Sequence, residues 1–255
     1  MKRIDIIIPY IPGPDDGLEL KFAIRSIEKN FQHDNFRILV TGDKPSWLKK
    51  ENHIPFDRIP QQKYRNFTDQ LLKLYSLLTQ KDISEHLIWT YDDVYFTREV
   101  KLSDLRQLKA VASFTRYPRH LENAGAGPNW MSTLQYTMKE VTKKGGSNYN
   151  YETHLPRFFN RNRVLKLFDN FNLLARPMMI SSLYYNLYHK DDEPLCLYER
   201  NPGIRFLLRS VFDYESLKKQ IRRFMFTNND PRMWNPVLKK VLSEMFPEKS
   251  SYESK

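Results

Sequence analysis

The sequence predicts an α/β chain with a mostly parallel sheet flanked by helices and a helical C-terminal region. Three observations carry that prediction. Short apolar, β-prone runs alternate with helix-period segments through the first ninety or so residues. The first two runs bracket one helix, a β-α-β unit, which implies a parallel pair with a right-handed crossover. From Tyr151 onward the chain turns helical and more basic, with a soft boundary near residue 145, at Lys143-Lys144-Gly145-Gly146-Ser147, dividing it into 1–145 and 146–255.

In order, Ile4 to Ile11 reads as a buried strand that ends at the turn Pro12-Gly13-Pro14-Asp15-Asp16-Gly17. Leu20, Ala23, Ile24, Ile27 and Phe31 then recur on one helical face. Phe36 to Thr41 is the second strand, closed by Gly42-Asp43-Lys44-Pro45, and Ile54 to Ile59 a short third. Phe67, Leu71, Leu74, Tyr75 and Leu78 mark a second helix that leads into a strand at Leu87. Another strand is expected around Val111 to Phe114, followed by a glycine-bearing loop from Asn123 to Trp130, whose spacing is not that of a dinucleotide fingerprint. Near Tyr214 to Phe224, a helix sets Tyr214, Leu217, Ile221 and Phe224 apart from Lys218, Lys219, Arg222 and Arg223. That basic face is either simply solvated or a surface for anionic lipid or an acidic polymer. The last helix has Asn235 as cap, Pro236 at its first position and Val237, Leu238, Val241, Leu242 and Met245 as its stripe.

Composition bounds the partners. At 255 residues, 40% hydrophobic and 28% charged, the chain can bury a large core. Its net charge of +11 attracts phosphates, nucleic acid or an anionic membrane. Nucleic acid is disfavoured, because zinc-finger spacing, an aromatic RNA platform and basic-region heptads are all missing. The single cysteine, Cys196, can form no internal disulfide and is expected to be a buried inert thiol in a reducing compartment. The Ile4 to Ile11 run is too short, and too interrupted by Asp5, Pro9 and Pro12, for a signal peptide, and no run approaches the 20 or so apolar residues of a membrane span. The expected location is cytoplasmic, with peripheral contact at the inner membrane face left open.

The most informative stretch is Leu87 to Phe96, where an apolar strand delivers Asp92 and Asp93 to its end. Ligands bind at strand ends in α/β sheets. Unpaired carboxylates are costly to bury, and a divalent cation with its bound phosphates satisfies them. The competing reading is a turn or a helix cap.

The order of the motifs resembles the Stealth family of sugar-phosphate transferases, which is built on a GT-A-like (Rossmann-like) nucleotide-sugar core. The strand Ile4 to Ile11 and its turn to Asp16 look like the first block, Leu20 to Asn30 the Leu-Arg-Ser helix, and Val40-Thr41-Gly42-Asp43-Lys44-Pro45-Ser46-Trp47-Leu48 the segment after it. Tyr91-Asp92-Asp93-Val94-Tyr95-Phe96 stands where the family has Asn-Asp-Asp and aromatics. His154-Leu155-Pro156, Arg176, Asn229-Asp230 and Phe246-Pro247-Glu248-Lys249-Ser250-Ser251-Tyr252-Glu253 follow in the family's order, so the match runs from residue 4 to 253. Departures are Tyr91 for asparagine, Pro12 and Pro14 in the first turn, and Tyr64-Arg65-Asn66-Phe67-Thr68 at the second helix.

The resemblance implies an enzyme taking a nucleotide-sugar donor and a glycan or polysaccharide acceptor in surface or capsular polysaccharide synthesis, with Mg2+ or Mn2+ as cofactor. In it, Asp92 and Asp93 hold the metal, Asp230 is a third acidic group or merely a cap, and His154 is a general base or a ligand. Arg25, Arg65 and Arg176 would grip phosphate, Arg25 alternatively pairing with a carboxylate; Tyr10, Asp43, Asn66 and Asn229 complete the substrate contacts, with Asp43 near the nucleoside or simply in its turn. Sugar 1-phosphate transfer is the favoured chemistry, and transfer of the sugar alone its main rival. A non-catalytic module for anionic polymers, carried by charge alone, is the third reading.

Overall fold

The structure, a computed structural model, describes residues 2–13, 15–60, 65–117 and 128–254, with the side chains of Arg65, Pro128 and Asn129 left out. The chain opens on β1 (Ile4–Tyr10), whose Ile6, Ile7 and Ile8 have no exposed surface. Both faces of the strand are therefore covered, as in a parallel sheet. α1 (Leu18–Asn30) leaves from Gly17, at φ 70°, where a Cβ would press on the Tyr10 hydroxyl and Pro45. It buries the predicted stripe of Leu20, Ala23, Ile24 and Ile27. After the two-residue β2 (Phe31–Gln32), β3 (Phe36–Gly42) pairs parallel with β1 along its whole length, as the β-α-β reading requires.

β4 (His53–Pro55) adds outside β3, shorter than expected and shifted one residue toward the N-terminus. α2 (Arg65–Leu78) then crosses back to β5 (His86–Trp89), which lies parallel to the other side of β1. Beyond the carboxylates come β6 (Val94–Phe96), β7 (Val100–Lys101), α3 (Leu102–Arg106), β8 (Lys109–Ala110) and β9 (Ala112–Ser113). The strand expected at Val111 to Phe114 is thus two short pieces, and residues 118–127, with most of the glycine loop, lie outside the described residues.

α4 (Pro128–Lys143) and β10 (Tyr149–Asn150) precede β11 (Arg157–Asn160), which closes the main sheet antiparallel to β5. The sheet order is β11-β5-β1-β3-β4. α5 (Arg161–Phe171), α6 (Ile180–Tyr188), β12 (Leu195–Cys196), β13 (Arg205–Leu208), α7 (Tyr214–Ile221), β14 (Phe226–Asn229) and α8 (Pro236–Met245) complete the chain. A second sheet, β13-β14-β6, brings C-terminal strands onto β6, directly after the carboxylates.

The segments on either side of residue 145 therefore share both sheets, and the C-terminal part contains more strand than expected. The short runs at Arg205–Leu208 and Phe226–Asn229 carry too few apolar alternations to read as strands alone; pairing with each other and with β6 makes them so. α8 starts as predicted, with the Asn235 side chain accepting from Leu238 N and Pro236 at the first position. Cys196 is buried and free. Among the described residues, no helix is long and apolar enough to cross a membrane.

Candidate active site

β5 ends at Trp89, Thr90 N still donates to Ile7 O at 3.0 Å, and the turn to β6 then projects Tyr91, Asp92 and Asp93 beyond the sheet. These three residues line a cleft of about 500 Å3 at the C-terminal end of the parallel strands. One wall is polar, with Glu19, Glu152, His154, Arg157 and Asn229; the other is apolar, with Phe67, Leu71, Trp130, Met178, Met179 and Ile180.

His154 arrives from the loop between β10 and β11, and its backbone stands at φ 52°, the left-handed region, where histidine is several-fold enriched among the few non-glycine residues that adopt it. Its Nε2 sits 2.9 and 3.0 Å from the two oxygens of Asp93. The ring lies flat on Tyr91, with centroids 4.1 Å apart and planes 6° from parallel. Below Tyr91 is the Arg157 guanidinium, 5.4 Å from the ring centre, tied to Glu152 at 3.0 Å. Glu152 also accepts from the backbone and hydroxyl of Ser182 at the start of α6. The imidazole is thus fixed on one face by stacking and at Nε2 by a carboxylate, which leaves Nδ1 uncommitted.

The carboxylates are crowded. Burial, then Asp93 and Glu19, push the Asp92 carboxyl up to about 8. Burial and Asp93 push Glu19 to about 7, against the hydrogen bonds it accepts from Asn229 Nδ2 at 2.8 Å and the Tyr95 hydroxyl at 3.4 Å. Among the described residues Asp92 has no ion pair. An excess of buried negative charge of this kind favours a cation.

Asp92, Tyr91 and Gln70 also line a second cavity, of about 300 Å3, with Pro9, Ile11, Arg58, Asn66, Asp69 and Lys73. Lys73 is 1% exposed, pairs with Asp69 at 3.0 Å and points its Nζ toward Tyr10 O, directly behind the strand ends.

The remaining predicted residues divide. Asn229 and Asn66 line the two cavities. Tyr10 is buried, packing under the Gly17 turn, and lines neither; Asp43 is exposed at the end of β3. Asp230 does not join Asp92 and Asp93. It caps the turn Pro231–Met233 and its carboxylate is taken by the Arg232 guanidinium at 2.8 and 2.9 Å, which holds it down to about 2. Arg25 takes the carboxylate pairing expected as its alternative, forking onto Glu253 at 2.6 and 2.9 Å, and lines neither cavity. Arg176 lies over the Tyr136 ring at 3.3 Å, away from both cavity walls. The Arg65 side chain is outside the described residues.

Glu19, Glu152, Arg157 and Trp130 were not among the predicted site residues. Only Glu19, on the first turn of α1 after the Asp-Asp-Gly turn, had a local signal in the sequence.

No known family's profile matches the chain, and no curated protein matches it. Among solved structures, the bifunctional glycosyltransferase WbbM, in its apo form, aligns with a TM-score of 0.52 and 11% identity over 97% of this chain and 50% of WbbM. The fold is GT-A-like. This chain spans about half of WbbM's length. Looser likenesses, each at 11% identity, are the galactosyltransferase LgtC in complex with donor and acceptor sugar analogues (TM-score 0.46, 98% of both chains) and a glycosyltransferase involved in glycosylation of the major capsid of PBCV-1 (TM-score 0.41, 95% of this chain and 98% of that one).

Proposed function

We propose that the chain is a nucleotide-sugar-dependent transferase which moves sugar 1-phosphate onto a hydroxyl of a glycan acceptor. The observation that carries this reading is the Asp93–His154 pair, beside Asp92, in a cleft at the strand ends of a GT-A-like sheet. The ordered motif resemblance to the Stealth family supports the phosphate-transferring chemistry, and the GT-A-like fold supports a nucleotide-sugar donor.

The acceptor hydroxyl approaches His154 Nδ1, which takes its proton as the oxygen attacks the β-phosphorus. The P–O bond to the departing nucleoside monophosphate breaks, and its electron pair stays on that phosphate. Asp93 stabilises the imidazolium so formed and Tyr91 keeps the ring from turning. General-base help of this type contributes about a hundredfold or more in rate.

The fold family implies a divalent cation. Among the described residues no three His, Cys, Asp or Glu side chains form a cage by themselves. Magnesium sites at phosphates need only one or two carboxylates, the rest being substrate oxygens and water, and the crowding of Asp92 by Asp93 and Glu19 fits that need. Asp92, with Asp93 beside it, would hold the ion, whose chemistry there would be to offset charge on the departing phosphate.

Asp93→Asn should lower turnover about a hundredfold or more while leaving the thermal midpoint unchanged. Wild-type turnover in that variant overturns the assignment of Asp93 and His154. The released nucleotide identifies the bond broken: a monophosphate supports sugar-phosphate transfer. A diphosphate means that the sugar alone moves, the reading favoured by the fold shared with WbbM.

A further inference from the structure

A third cavity, of about 280 Å3, opens at the other end of β5, where the strand begins rather than ends, and no part of the proposed reaction uses it. It lies between α3, the outer edge of β11, the first turn of α5 and the end of α6. Its lining carries the guanidinium groups of Arg106 and Arg163 and the imidazoles of His86 and His189, with no carboxylate in the lining itself; the nearby acids are Asp192, 3.0 Å from His189 Nδ1, and Glu85 beside His86. In the other cleft, by contrast, four carboxylates, Glu19, Asp92, Asp93 and Glu152, gather around His154 and Arg157.

Both arginines are held without being neutralised. The Arg106 guanidinium lies 5.1 Å over the Phe158 ring and that of Arg163 lies 5.3 Å over Tyr188, and among the described residues neither has an ion pair. Arg163 also hydrogen-bonds the Tyr184 hydroxyl; aromatic contact orients each arginine and leaves further N–H donors for an anion. The floor is aromatic as well. His86 stacks on Phe158 at 5.3 Å and 25°, and Tyr184 and Tyr185 turn their hydroxyls to the β11 backbone, at Asn160 N and Phe158 O. Those bonds occupy the exposed edge of the sheet, so the cavity is closed to strand addition. The His86 Nδ1 is buried with no hydrogen-bond partner, which favours the tautomer that carries its proton on Nε2.

We propose that this cavity is a second ligand site, for a phosphate monoester on a small ring-bearing molecule, with Arg106 and Arg163 on the phosphate and the Phe158–His86 floor beneath the ring. The site stands independently of the function proposed for the cleft. Sugar phosphates and nucleoside monophosphates share the required chemistry, and the experiment separates them.

Inorganic phosphate, glucose 6-phosphate and uridine monophosphate are titrated into the full chain by calorimetry at low salt, in chelator so that the cleft holds no divalent ion. The expected result is that at least one monoester binds tenfold or more tighter than inorganic phosphate. That binding should weaken tenfold or more in Arg106→Gln/Arg163→Gln and persist in Asp93→Asn. Preference between the two monoesters names the source. Both arginines are exposed, so the double variant should keep its circular dichroism and thermal midpoint, and Arg106→Lys/Arg163→Lys should keep part of the affinity. The proposal is overturned by absence of binding of all three probes, by no preference for a monoester over phosphate, or by binding that Asp93→Asn abolishes and the arginine variants leave intact.

Discussion

Glu19, like Asp92, has surroundings that conflict with its charge. It lies beside Asp92 and Asp93, and its carboxyl titrates near 7 rather than its ordinary 4.5. In the unfolded chain the same group ionises first, so folding retains a proton that unfolding releases. Its contribution to stability is therefore full below 4.5 and disappears as pH rises toward 7. In chelator, the thermal midpoint of the wild type should fall between about pH 5 and about pH 8 by more than that of Glu19→Gln. Equal slopes in differential scanning calorimetry would remove the charge crowding deduced for this wall. Adding Mg2+ at the upper pH should return part of the wild-type loss, because a ligand that binds only the folded state stabilises it.

At the scale of elements, the C-terminal segment is stapled across α1. Arg25 forks onto Glu253, Glu253 also accepts from Ser250 N, the Tyr252 hydroxyl accepts from Ile38 N on β3, and Leu48 bridges to Glu253. Glu253→Ala leaves the largely buried Arg25 charge unpaired and should cost about 3 kcal/mol in urea unfolding. Replacing both partners with apolar residues, as Arg25→Met/Glu253→Leu, should recover most of the loss. This staple also explains why the sequence left two readings open for Arg25: an arginine that grips phosphate and an arginine in a buried fork look the same in sequence, and only the distant Glu253 tells them apart. β1, α1, β3 and α8 were legible because their apolar spacing and caps are local. The placing of Asp92 and Asp93 at a strand end was legible because the apolar run before them is local, although a turn alone would have the same sequence. His154 on Asp93, Glu152 under Arg157 and the β13-β14-β6 sheet were not, since each depends on contacts between residues far apart in the chain.

For the whole molecule, the sharing of both sheets across residue 145 predicts one cooperative unfolding transition, with calorimetric and van't Hoff enthalpies equal. Two resolved transitions would restore a division into separate units. The surplus of +11 acts at the same scale and gives a simple discrimination. A module that only binds anionic polymers by charge loses affinity steeply with salt and is indifferent to Asp92 and Asp93, whereas under the proposed function binding of the donor should depend on both.

Asp92, Tyr91 and Gln70 stand between the 500 Å3 and 300 Å3 cavities and face into each. A partition with two wetted faces cannot be thinned for one tenant alone. Trimming Gln70 should therefore loosen the hold on the occupants of both chambers at once.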